Sequence, residues 1–261
     1  MIIIKRGAAQ SAPRIRTKKL IDMDNWVPQP MALTEIVTTL QASATPTTQA
    51  QQESYQRIEQ FKQDSQFCLY LVHILTCLPS EQVGAETRQV AGLLLRSTIK
   101  EQYGSFPREI KMHIQSRVVS VLVDPNANIR NAVGSVITTI VSQCSIEEWS
   151  DLIPTICQLL QSSEGAAVSG GFNALVKICE DSADKLVETP SQPLERLIPL
   201  FLHFFQHPEP SIRRDALKCI NNVMIVMPNS LVRNMDAFLQ VCLLLCVRNL
   251  GSLQPTRVYL F

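Results

Sequence analysis

The sequence predicts an all-α fold, a solenoid of about five and a half stacked helical hairpins. Three observations lead there. First, 46% of the residues are hydrophobic but only 6% are aromatic. That balance suits many aliphatic helix faces packed in series better than a sheet core rich in Val, Tyr and Phe. Second, one string recurs: Leu152-Ile153-Pro154 followed by Gln161, and Leu197-Ile198-Pro199 followed by Gln206, 45 residues apart. Third, an apolar pattern at i, i+3, i+4, i+7 returns four times at nearly the same interval.

Along the chain, residues 1–24 come first. They hold six Lys/Arg and the acids Asp22 and Asp24, show no helical period and read as a disordered basic extension; a mitochondrial presequence is the weaker alternative. Helical hairpins are then expected near 31–62, 66–102, 107–143, 149–187 and 193–229, within a 25–247 array, with a lone helix near 234–247 and an atypical tail over 248–261. The Leu-Ile-Pro strings are expected to open first helices, where proline lacks no intrahelical partner. In the second helices Ala91, Leu94, Leu95 and Thr98 superpose on Val133, Val136, Ile137 and Ile140 at +42. Phe172, Leu175, Val176 and Cys179 follow at +39, and Ala216, Cys219, Ile220 and Val223 at +44. These intervals lie in the range of HEAT-type repeats.

Asn128 and Ser211 are the expected N-caps of their second helices. Arg88, Arg130 and Arg213 recur early in those helices, as solvated or inter-repeat ladder residues. In the fourth repeat Ser169 breaks the ladder, and Gly170 and Gly171 beside it predict a weak helix start.

A charge of +1 hides a mildly acidic body, since residues beyond 24 hold 18 basic and 21 acidic side chains. No basic face with stacking aromatics calls for nucleic acid, and no apolar run calls for a membrane. The eight cysteines form no Cys-x-x-Cys and mostly fall inside apolar helical patterns, as small buried hydrophobes in a reducing compartment. No Gly-x-Gly, Gly-Lys-Ser/Thr or Gly-x-Ser-x-Gly occurs, so an enzyme reading has little support: no catalytic residue, cofactor or metal is expected. His203 and His207 lack a third ligand, and Glu180, Asp181 and Asp184 read as a solvated helix end.

The run Glu86-Thr87-Arg88-Gln89-Val90-Ala91-Gly92-Leu93-Leu94-Leu95-Arg96 resembles the Arg-x-x-Ala-x-x-x-Leu signature of the importin-beta N-terminal domain. Ile129 to Gly134 with Ile137 to Ile140, Trp149-x-x-Leu152-Ile153-Pro154, Lys177 to Ala183 and Pro199 to His207 are similar to the transportin branch of that family. The likeness runs from about Trp26 to Leu245 and leaves residues 1–24 and 248–261 outside it.

The resemblance implies a right-handed superhelix with first helices outside and second helices lining the concave side. It implies an arch that grips the small GTPase Ran in its GTP form, outer surfaces that touch Phe-Gly nucleoporins, and shuttling between cytoplasm and nucleus. Cargo bearing a nuclear localisation signal would need a longer form, because the C-terminal cargo arch would be missing here. The polar stripe opposite the buried face is then the expected Ran-binding surface: Gln89, Arg96 and Lys100; Asn131, Ser135, Thr138 and Ser142; Asn173, Lys177 and Asp181. The alternatives are a general HEAT scaffold indifferent to Ran, and an inactive truncated isoform.

Overall fold

A computed structural model describes residues 26–44, 48–64, 66–78, 81–226, 232, 234–240 and 243. The expected extension 1–24 and tail 248–261 lie outside these residues, as do 241, 242 and 244–247 of the lone helix expected near 234–247, of which 235–240 are helical. Among the described residues there is no strand.

Five hairpins follow in chain order: α1 (Pro30–Ser43) with α2 (Thr48–Phe61), α3 (Phe67–Thr76) with α4 (Ala85–Gln102), and α5 (Arg108–Ser120) with α6 (Ala127–Gln143). Then come α7 (Leu152–Leu160) with α8 (Gly165–Asp181) and a short α9 (Ala183–Glu188), and α10 (Leu194–Phe204) with α11 (Pro210–Val226). The described helices fall on the hairpin spans read from the sequence, with 227–229 of the fifth span outside the described residues. Within the fourth, however, the second helix ends at Asp181, and Ser182 (φ −151°, ψ 32°) separates it from α9.

Helix α4 packs on α6, α6 on α8 and α8 on α11, so the second helices form one continuous layer, with first helices such as α3 and α5 side by side in the other. The aligned apolar positions supply the core between the layers. Ala91, Leu95, Val133, Val136, Ile137, Ile140, Phe172, Leu175, Ala216 and Cys219 are all fully buried. Each hairpin leaves an apolar face that only its neighbours cover, so the stack is the folding unit. The first hairpin departs from the series, because α1 packs against both α3 and α4.

Turn chemistry corrects two expectations. Asn126, not Asn128, caps α6: its side chain accepts the N–H of Asn128 at 2.8 Å. Helix α11 begins at Pro210, which places Ser211 inside it. The recurring device lies just before the helix, where a side chain at the loop accepts an N–H two residues on. Asp124 Oδ1 takes Asn126 N–H, Ser162 Oγ takes Glu164 N–H and His207 Nδ1 takes Glu209 N–H, at 2.9–3.1 Å. Three residue types do one job, which hid the period.

Two more corrections concern Pro and Gly. Leu152-Ile153-Pro154 opens α7 as expected, but Pro199 lies inside α10, which starts a turn earlier at Leu194. Helix α8 is unbroken from Gly165 despite Gly170 and Gly171. A Cβ at Gly170 would overlap the backbone carbonyl of Leu122, so the close approach of the preceding repeat requires glycine there.

The arginine ladder proves to be inter-repeat and loop-binding. Arg88 is buried, donates Nε and Nη2 to Leu75 O at 3.1 and 2.8 Å, and pairs with Asp124 of the next repeat at 2.7 Å. Arg130 Nη1 donates to the carbonyls of Asp124 and Pro125, and Arg213 Nη1 to those of His207 and Pro208. The cysteines at 68, 144, 179 and 219 are buried, Cys157 is half-buried and Cys77 exposed. Burial pushes the Cys68 thiol up to about 12 and the Cys144 thiol to about 11, which keeps both protonated and inert.

Candidate functional site: a polar stripe and an open groove

The second-helix layer carries the expected stripe on its solvent side. Arg96, Lys100, Asn131, Ser142 and Asp181 are exposed, and Gln89, Ser135, Asn173 and Lys177 are half-buried. Thr138 does not belong to it. It is 4% exposed and its hydroxyl donates to Gly134 O at 2.9 Å, on a helix wedged between α4 and α8.

Hydrogen bonds tie the stripe together across repeats. Asn173 Nδ2 donates to Asn131 Oδ1, and Lys177 Nζ donates to Asn173 Oδ1 at 2.6 Å. Arg96 Nε donates to Thr139 Oγ1 of the next repeat at 3.3 Å. The Asn pair sits over Gly134, where a Cβ would strike the Asn173 amide oxygen, so glycine lets α6 and α8 meet this closely. Burial lowers the pKa of Lys177 below its ordinary value, against the opposing pull of Glu180, Asp215 and Asp181, and Lys218 adds to the lowering. The result is a preorganised polar strip with charges of both signs at its α8 and α11 end.

Sequence reasoning missed Leu93, half-exposed within this strip, although its helical spacing of four from Gln89 and three from Arg96 was a signal. It also missed Lys185. Its ammonium donates to Val141 O, Ser142 O and Cys144 O at 2.7–2.9 Å and closes the C-terminal end of α6 from the next repeat.

On the opposite face, a cavity opens between α7 and α10. Ile153, Pro154, Cys157, Gln161, Glu195, Arg196, Pro199 and Leu200 line it, a largely apolar floor with one charge of each sign at the rim. Both recurring Leu-Ile-Pro strings contribute to it. His203 and His207 do not converge on a ligand: each ring stands against Phe204, and His207 Nδ1 is engaged by Glu209 N–H. Glu180, Asp181 and Asp184 lie exposed around the end of α8.

A helical-repeat solenoid with one long hydrogen-bonded polar face and an apolar slot on the other belongs to the class of helical-repeat scaffolds. The model of the importin-beta N-terminal domain matches residues 54–124. Transportin-1 of Homo sapiens is 37% identical over 216 residues, which cover 82% of this chain and 24% of the relative. Importin subunit beta-2 of Schizosaccharomyces pombe is 32% identical over 222 residues, covering 83% and 24%. Among solved structures, the Kap95:Nup1 complex superposes with a TM-score of 0.67 at 18% identity, covering 80% of this chain and 26% of that one. A structure of Kap95p binding RanGDP gives 0.66 at 18% identity, with the same coverage. The chain belongs to the importin-beta family of nuclear transport receptors, in its transportin branch. It spans about a quarter of the length of the curated relatives it matches.

Proposed function

We propose that this chain is the Ran-binding arch of a transportin-like nuclear import receptor. The stripe of Gln89, Arg96, Lys100, Asn131, Ser135, Ser142, Asn173, Lys177 and Asp181 receives Ran in its GTP form, and Thr138 supports it from beneath. The observation that carries the reading is the cross-repeat ladder from Asn131 through Asn173 to Lys177, which fixes polar groups of successive repeats in one register. Preorganised polar groups bind a folded partner with little ordering cost, and charges of both signs select register. The Kap95p structure concerned with RanGDP shares the fold and supports this choice of partner.

The apolar slot between α7 and α10 is the docking place for phenylalanines of Phe-Gly nucleoporins, which would carry the protein between cytoplasm and nucleus. Its supports are the lining of Ile153, Pro154, Pro199 and Leu200 and the fold shared with the Kap95:Nup1 complex. Cargo bearing a nuclear localisation signal belongs to a longer form.

The test is capture of the purified chain by Ran loaded in parallel with a non-hydrolysable GTP analogue and with GDP. Selective retention on the GTP form is the expected result, and equal or absent retention would reduce the chain to a scaffold without nucleotide sensing.

A further inference from the structure

Residues 26–29, ahead of α1, lie across the first-helix face, and the Trp26 side chain occupies the gap between α3 and α5. The indole of Trp26 stands edge-on to three rings, with centroids 5.5 Å from Tyr70, 6.2 Å from His73 and 6.5 Å from His113. Trp26 Nε1 donates to Gln66 Oε1 and the Gln29 N–H donates to the Tyr70 hydroxyl, each at 3.3 Å. Both bonds are long, Trp26 remains half-exposed, and Val27 beside it is 76% exposed. This anchor is shallow. Two hairpins further on, the corresponding space between the first helices α7 and α10 stands open.

We propose that the α3–α5 groove is a second aromatic-docking seat and that Trp26 is its resident occupant, an internal competitor displaced by an extended, phenylalanine-rich peptide. The inference rests on the reading of the α7–α10 slot as a phenylalanine site. Offset and edge-on ring contacts are what such a seat offers any aromatic side chain, and Tyr70, His73 and His113 supply three of them around one position. Because Trp26 is tethered to α1 through a short segment held by Pro28 and Pro30, its local concentration at the seat is high. A lone phenylalanine from solution loses to it. A peptide already held at the α7–α10 slot, with further phenylalanines along its length, competes on equal terms. The arrangement therefore grades docking by the number of aromatic residues a partner carries.

The experiment is calorimetric titration of the full chain, wild type and Trp26→Ala, with a synthetic peptide of several Phe-Gly units. The expected result is one peptide per chain in both proteins, bound about tenfold tighter by Trp26→Ala, in which no indole has to leave the α3–α5 seat. Equal affinity in the two proteins overturns the role of Trp26 and leaves the α7–α10 slot standing. Binding by the variant alone upholds the seat and removes the slot, and binding by neither overturns both. A second measurement guards against a poorly folded variant. The chain has two tryptophans, so Trp149→Phe leaves Trp26 as the sole emitter with its seat intact. Saturating peptide then shifts the emission to the red as the indole enters water; bound peptide without a shift overturns the displacement.

Discussion

Two arginines on α4, eight residues apart, show how differently the same seam between repeats is built at its two edges. Eight residues rotate about 80° around a helix. That turn takes Arg88 into the loop-side edge, where it is 5% exposed and joins Leu75 O to Asp124, and brings Arg96 to the solvent stripe, from which it reaches the Thr139 hydroxyl. Along the loop-side edge Gly170 meets Leu122, and at the other end of α6 Lys185 closes its last turn. Along the stripe Asn131, Asn173 and Lys177 hold one another at the surface. Buried links lose their partners at a large cost and so set the orientation of one repeat on the next. Surface links exchange readily with water or with an incoming protein. The loop-side edge is therefore where stability should be lost on mutation, and the stripe is where binding should be lost.

The largest effect is expected at Gly170. Alanine there drives a methyl group into the Leu122 carbonyl, a backbone atom that no rotamer change can move aside. A loss of about 3 kcal/mol or more follows, with the fourth repeat separating from the third. Chemical denaturation of Gly170→Ala should show an earlier midpoint; a midpoint equal to wild type would mean that the seam is looser than the packing implies.

Next comes Arg88→Ala, which strands Asp124 beside an apolar core. Removal of one partner from a buried pair costs on the order of 3 kcal/mol. The double variant Arg88→Leu with Asp124→Leu should recover part of that loss in thermal unfolding, since no charge is then left unpaired. If the single and the double variant melt together, the pair is solvated and the contrast between the two edges fails.

A smaller effect, and of another kind, is expected on the stripe. Simultaneous reversal of Lys177 and Asp181 should leave helicity and melting nearly unchanged while Ran-GTP capture falls by about tenfold or more. Unchanged capture would remove both residues from the contact surface.

How much of this was legible follows the same division. Helix spans, hairpin pairing and the buried positions of α4, α6, α8 and α11 were readable because an apolar face must repeat at helical spacing. The polar stripe was readable as its complement. Thr138 escaped because exposure on α6 depends on how closely α4 and α8 flank it, which Gly134 decides from the side. The loop devices before the second helices escaped because Asp124, Ser162 and His207, unlike side chains, each accept the N–H two residues on. Lys185 and Trp26 act across 40 or more residues of sequence, through partners that no local pattern marks.

The His73–His113 pair, on the first helices α3 and α5, is half-buried, intermediate in exposure between the two kinds of edge, and gives the smallest expected effect. Burial lowers both pKa values, and the positive charge of Arg117 on α5 lowers them further, with His73 adding to the shift of His113. The unfolded chain therefore takes up protons near the ordinary histidine value while the folded chain does not. Folding stability is full above about pH 6.5 and declines as pH falls below it toward the folded values. Melting at about pH 5.5 should thus fall below that at about pH 7.5, and the gap should shrink in a His73→Gln, His113→Gln variant. Trp26 reports on the same event, because protonation of the rings at its edge adds charge to a site already facing Arg117. In Trp149→Phe protein its emission should redden before the helices melt. If fluorescence and helicity change together, the seat is part of the core, and the half-buried edge behaves like the buried one.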